Sequence, residues 1–160
     1  MGSLIFFLAA CSNQKQTQTQ DWPVYLGNKT SSQYSSLDQI TKDNIQELEV
    51  VWTFSMGERP SNNRNQLECN PLIINGTLYG TNARLIAFAL DAATGEERWR
   101  FDPYAYRIEE EGANVNRTGA NRGLTYWTNG KEERLLYTSE NFLHAINAKT
   151  GRLVESFGNH

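Results

Sequence analysis

Two cysteines in 160 residues, Cys11 and Cys69, are too few for a disulfide framework, so packing has to hold the fold. Positive charge is not in excess either. Fifteen Lys and Arg face 18 Asp and Glu for a formal net charge of -3, which leaves no basic stripe for nucleic acid and excludes it as a partner. Proline is scarce, and no apolar run approaches the roughly 20 residues that a membrane-spanning helix needs. The longest run, Leu4-Ile5-Phe6-Phe7-Leu8-Ala9-Ala10, sits at the N-terminus and stops at Cys11.

That run has the length of the apolar region of an export signal, a segment that is removed rather than folded. Its end, Leu8-Ala9-Ala10-Cys11, resembles a bacterial lipobox: two small residues fit the peptidase cleft, and the Cys11 thiol accepts the diacylglyceryl group. No Lys or Arg precedes the apolar run, so the natural start is expected upstream. The expected organisation is a signal over residues 1–11, a polar Gln/Thr tether over 12–20, and a folded portion over 21–160. The corresponding location is the periplasmic side of a bacterial membrane, with the chain attached by lipid.

What the chain does have is flat and branched. Seven Tyr, seven Phe and four Trp stand among short runs of Thr, Val, Ile and Leu, side chains that suit a pleated, half-buried surface, and the expected class is all-β. A long internal repeat refines this. Ala89-Leu90-Asp91-Ala92-Ala93-Thr94-Gly95-Glu96-Glu97-Arg98-Trp99 returns as Ala145-Ile146-Asn147-Ala148-Lys149-Thr150-Gly151-Arg152-Leu153-Val154-Glu155, an offset of 56 residues. Each copy follows a strand-like run, residues 77–87 and 134–145, and each leads into a second run ending at Phe101 or Phe157. A third strand end, Val50-Val51-Trp52-Thr53-Phe54, stands 47 residues before Trp99-Arg100-Phe101.

The repeated turn has a physical basis. Asp91 or Asn147 can accept backbone N–H bonds two residues on, while Gly95 or Gly151 takes the positive φ of a tight turn. The Trp99 indole is then expected to wedge against the neighbouring sheet, and Glu155 replaces it in the second copy. Period, turn and aromatic together point to a β-propeller of four-stranded blades rather than a sandwich, whose turns recur every ~8–12 residues without a long repeat. Two copies and part of a third do not close a ring, so the expectation is the first two to three blades of a larger protein.

The pattern met in full at residues 89–99 resembles the tryptophan-docking motif of the pyrroloquinoline quinone (PQQ) dehydrogenases. Non-catalytic propellers carry similar repeats, so three further stretches bear on activity. Asp21-Trp22-Pro23-Val24-Tyr25-Leu26-Gly27, followed by Tyr34-Ser35, Gln39-Ile40-Thr41, Asn44-Ile45, Leu48 and Trp52-Thr53-Phe54, is similar to the start of the mature quinoprotein dehydrogenases. Leu67-Glu68-Cys69-Asn70-Pro71-Leu72 resembles their first-blade segment, in which a Glu before a Pro contacts the cofactor; Glu68 takes that place. Asn121-Arg122-Gly123-Leu124-Thr125-Tyr126-Trp127 resembles the stretch whose Arg binds the quinone oxygens.

The resemblance spans residues 21–160 and implies an eight-bladed ring with PQQ on its axis. It implies cofactor binding by Glu68 and Arg122, with Arg122 polarising the quinone, and a Ca²⁺ ion and an Asp general base supplied by residues downstream of His160. No metal ligand is assigned in this chain. The implied reaction is oxidation of an alcohol or a sugar hydroxyl, with electrons passing to a membrane quinone or cytochrome. Some alcohol dehydrogenases of the family place adjacent cysteines just before that Arg. Asn116, Arg117 and Thr118 stand in that region here, which favours the glucose dehydrogenase-like branch. The other reading is a propeller lipoprotein that acts as an outer-membrane assembly or protein-binding scaffold. A carboxylate and a guanidinium aimed at a ring axis argue for the dehydrogenase.

Overall fold

The computed structural model describes residues 20–57, 67–105 and 120–158. Cys11, most of the polar tether and residues 116–118 lie outside that set. The described elements are strands, apart from one 3-10 turn at Ile45–Glu47. Strands β1 (Leu72–Ile74), β2 (Thr77–Thr81), β3 (Ala87–Asp91) and β4 (Glu97–Phe101) form an antiparallel meander in the order β1-β2-β3-β4. Strands β5 (Thr125–Thr128), β6 (Glu133–Ser139) and β7 (Phe142–Asn147) form a second one in the order β5-β6-β7.

Each run expected as one strand is a hairpin. Residues 77–87 break at 82–86, where the Asn82 Oδ1 accepts the N–H groups of Arg84 and Ile86, at 2.9 and 3.0 Å, and Leu85 adopts φ 62°. Residues 134–145 break at Glu140, with φ 51°. Neither bend contains Gly or Pro: polar residues carry both turns, Asn82 in the first and Ser139-Glu140-Asn141 in the second. The hairpin between β1 and β2 is plainer. Asn75 and Gly76, at φ 49° and 70°, make the two-residue connection that matches strand twist.

The two repeated turns are near copies. Asp91 Oδ1 accepts the N–H groups of Ala93 and Thr94 at 2.9 and 3.0 Å, and Asn147 Oδ1 accepts those of Lys149 and Thr150 at 3.0 Å each. Gly95 and Gly151 stand at φ 73° and 69°, as the repeat requires. The strand after the turn differs. In the first sheet it is β4; in the second it shrinks to a single bridge between Ile146 and Leu153, and Glu155, in the place of Trp99, is exposed. Residues 50–54, expected as a strand end, lie outside the described strands.

The sheets face each other through an apolar layer in which Leu72, Ala89, Leu135 and Ile146 are fully buried. Trp99 crosses that boundary: its Nε1 donates to the Ala148 carbonyl at 2.9 Å, and its indole covers Gly151. Trp52 covers Gly95 in the same manner. Each indole thus sits on the glycine of the next turn along the chain, which sets successive blades against each other. Before the first sheet, Trp22 pairs with Ile73 and the Asp21 carboxylate accepts the Asn75 N–H at 2.9 Å, tying the opening segment to β1.

Candidate functional site

Glu68 and Arg122, 54 positions apart in sequence, are brought together. Arg122 Nη2 lies 3.8 Å from Glu68 Oε2. The Arg122 side chain is 87% exposed and that of Glu68 32%. At that separation the pair is ionic rather than hydrogen-bonded, and an exposed pair of this kind contributes less than about 1 kcal/mol to stability. The described residues form no hydrogen bond to the Arg122 guanidinium, so its rigid fork of donors faces outward with a carboxylate at one side.

The backbone beneath is held more firmly. The Asn70 N–H donates to the Arg122 carbonyl at 3.1 Å, and Asn70 and Gly123 form a parallel bridge that joins the approach to β1 with the approach to β5. Gly123 has φ 130°, and a Cβ built there would meet the Asn70 carbonyl oxygen at 2.8 Å. Only glycine permits both the conformation and the approach.

Two buried contacts flank the pair. Asn121, buried beside Arg122, accepts the Gly123 N–H through Oδ1 at 2.7 Å and donates from Nδ2 to the Thr138 carbonyl at 2.8 Å. Cys69, beside Glu68, accepts the Thr81 N–H through Sγ at 3.2 Å, while Thr81 Oγ1 lies 3.4 Å from Asn121 Oδ1. The end of β2 is therefore a common post for the residue after Glu68 and the residue before Arg122. Neither Cys69 nor Asn121 stands out in the sequence as a site residue. The signal available was Asn121-x-Gly123, the spacing at which an Asn side chain closes a turn over the residue between.

Two clefts between the sheets, of about 290 and 470 Å³, lie away from Glu68 and Arg122. The charges that line the smaller one are paired: Lys149 with Glu133 at 2.9 Å and Arg98 with Asp91 at 2.7 Å. No group of three or more His, Cys, Asp or Glu converges among the described residues, so this chain's described side chains offer no ready cage for Ca²⁺.

The family model for the PQQ β-propeller domain of glucose, ethanol and alcohol dehydrogenases matches residues 22–160. The quinoprotein glucose dehydrogenase of Escherichia coli (strain K12) is 33% identical over 155 residues, covering 88% of this chain and 19% of its own length. The dehydrogenase subunit of the quinone-dependent alcohol dehydrogenase of Gluconobacter oxydans (strain 621H) is 38% identical over 137 residues, covering 85% and 17%. Among solved structures, the quinohemoprotein alcohol dehydrogenase of Comamonas testosteroni superposes with a TM-score of 0.65 at 24% identity over 84% of this chain and 18% of its own, a likeness of fold. The chain spans about a fifth of the length of the curated relatives it matches.

Proposed function

Because the chain belongs to the PQQ β-propeller family of glucose, ethanol and alcohol dehydrogenases, we propose that the complete protein oxidises an alcohol or a sugar hydroxyl with PQQ, and that Glu68 and Arg122 line the cofactor. The observation that carries this reading is the pairing of Glu68 with Arg122 at 3.8 Å across two sheets, with the guanidinium left outward. The donor set fits the group. An ortho-quinone presents acceptor oxygens at its rim, and Arg122 presents a permanently charged fork of donors that no described hydrogen bond consumes. When bound, PQQ supplies the two-electron acceptor for the hydride of the substrate. Arg122 holds positive charge against the quinone oxygens, where charge develops as the electrons arrive. Glu68 fixes the guanidinium from one side and orders hydrogen bonds at the cofactor's polar edge.

A glucose dehydrogenase and an alcohol dehydrogenase match this chain to similar extents, and the proposed substrate class includes both. Ca²⁺ belongs to this reading as a Lewis acid held by other parts of the complete protein, and no step of this chain is routed through it. A membrane quinone or a cytochrome takes the electrons. Export and lipid attachment at Cys11 complete the proposal, supported by the short apolar run and its Leu8-Ala9-Ala10-Cys11 ending.

The test is dye-linked oxidation of short alcohols and aldoses by the full-length protein, first freed of PQQ and then resupplied. Activity that returns with PQQ is expected. Oxidation indifferent to PQQ, or none with either substrate class, would contradict the proposal. Absence of saturable PQQ binding would turn the reading toward the scaffold.

A further inference from the structure

We propose that Asn121 is a positioning residue for Arg122, setting the guanidinium against the cofactor through a buried carboxamide that bonds two backbone groups, of Gly123 and Thr138, and the Thr81 hydroxyl. The inference rests on the PQQ reading of Glu68 and Arg122.

Arg122 reaches outward, 87% exposed, and packing does not fix such a long side chain. Glu68 holds its tip from one side, and the conformation of its own backbone sets the direction in which the side chain leaves the turn. That backbone is bounded on one side by Asn121 and on the other by Gly123, and one side chain spans the two: the Asn121 Oδ1 takes the Gly123 N–H at 2.7 Å and closes a turn with Arg122 at its apex. The other end of the carboxamide anchors this turn to the second sheet, where Nδ2 donates to the Thr138 carbonyl in β6 at 2.8 Å. Thr81 Oγ1, at 3.4 Å from the same Oδ1, adds the first sheet, and through its N–H bond to Cys69 it reaches the residue that follows Glu68.

The amide is suited to this in a way that other residues are not. Asn121 is only 8% exposed, yet its carboxamide donates once and accepts from two directions, so both of its ends are used. An alanine leaves the Thr138 carbonyl and the Gly123 N–H without that partner and frees the turn. A serine keeps an oxygen for the Gly123 N–H but cannot span to Thr138.

The experiment is a double-mutant cycle in the full-length protein: native, Asn121→Ala, Arg122→Ala and the double variant. PQQ affinity is read from quenching of tryptophan fluorescence, and the melting temperature of each PQQ-free form is read in parallel. Arg122→Ala is expected to weaken PQQ with no change in melting temperature. Asn121→Ala is expected to weaken PQQ about tenfold, the effect of losing roughly one buried hydrogen bond's worth of positioning, and to add nothing in the Arg122→Ala background. An undiminished loss in that background would show that Asn121 acts on stability or on the cofactor directly, and would overturn the proposal. If Arg122→Ala binds PQQ normally, the cofactor reading itself fails, and the inference with it. Should the alanine variant not fold, Asn121→Ser replaces it in the cycle. Its expected loss is about threefold, because one of the two bonds survives, and native affinity in that variant would equally overturn the proposal.

Discussion

The Trp99 indole covers Gly151 so closely that a methyl group built on that glycine would lie 2.6 Å from its Cδ2. The contact joins the fourth strand of one sheet to the turn that closes the next. It recurs one step earlier, where Trp52 meets Gly95 at the same distance. The repeat in the sequence is therefore not two independent turns but a chain of sockets, each occupied by the tryptophan that precedes it. These sockets are tested with variants of the full-length protein.

Gly151 and Gly76 share nearly the same positive φ, 69° and 70°, but of the two only Gly151 has an indole over it. Gly76→Ala is expected to cost about 1–2 kcal/mol, the strain of a side chain at positive φ alone. Gly151→Ala adds the collision with Trp99 and is expected to cost about 2–4 kcal/mol. Unfolding midpoints in urea check the difference, and equal losses would mean that the socket is looser than described.

Trp99→Phe retains a ring but removes the Nε1 donor to the Ala148 carbonyl. A loss of about 1–3 kcal/mol is expected from the missing bond and the void. Equilibrium denaturation measures it, and native stability would show that the blade contact does not depend on the indole nitrogen.

Asp91 predicts an acid limb of stability. A hydrogen bond from Arg98, then those from the Thr94 and Ala93 amides, hold its carboxyl at about 2, below its ordinary 3.8. Because the folded-state value is the lower one, this contribution is present above about pH 4 and is lost as pH falls toward 2. Asn147 makes the same two amide bonds in the second turn without a charge, so Asp91→Asn preserves the turn. Melting curves of native and Asp91→Asn protein are expected to differ most above pH 4 and to converge near pH 2. Parallel curves would contradict the assignment.

How far the sequence could be read follows from which contacts are local. The turn at 91–95 is legible because Asp91, its amide partners and Gly95 lie within five residues, and the copy at 147–151 repeats them. The pairing of Glu68 with Arg122 was reached only through resemblance, since nothing within either segment says that they meet. The Asn121 contacts to Thr81 and Thr138 were not read at all: they form only when the ends of β2 and β6 converge. The hairpin bends at Asn82 and Glu140 were missed because neither contains Gly or Pro. The sequence predicts a strand ending at Phe157 in the second sheet, but only the bridge between Ile146 and Leu153 forms, and Glu155, whose charge cannot replace a docked indole, is exposed there.

The most direct test of the cofactor account is a PQQ titration of the native full-length protein beside Arg122→Ala, with the melting temperature of both recorded without PQQ. The exposed guanidinium contributes little to the fold, so unchanged melting is expected. Loss of its charge-assisted hydrogen bonds is expected to weaken PQQ by about 1.5–3 kcal/mol, roughly tenfold to more than a hundredfold. Equal affinity of the two proteins at equal stability would contradict the account and leave this chain a propeller segment whose Glu68 and Arg122 serve some other purpose.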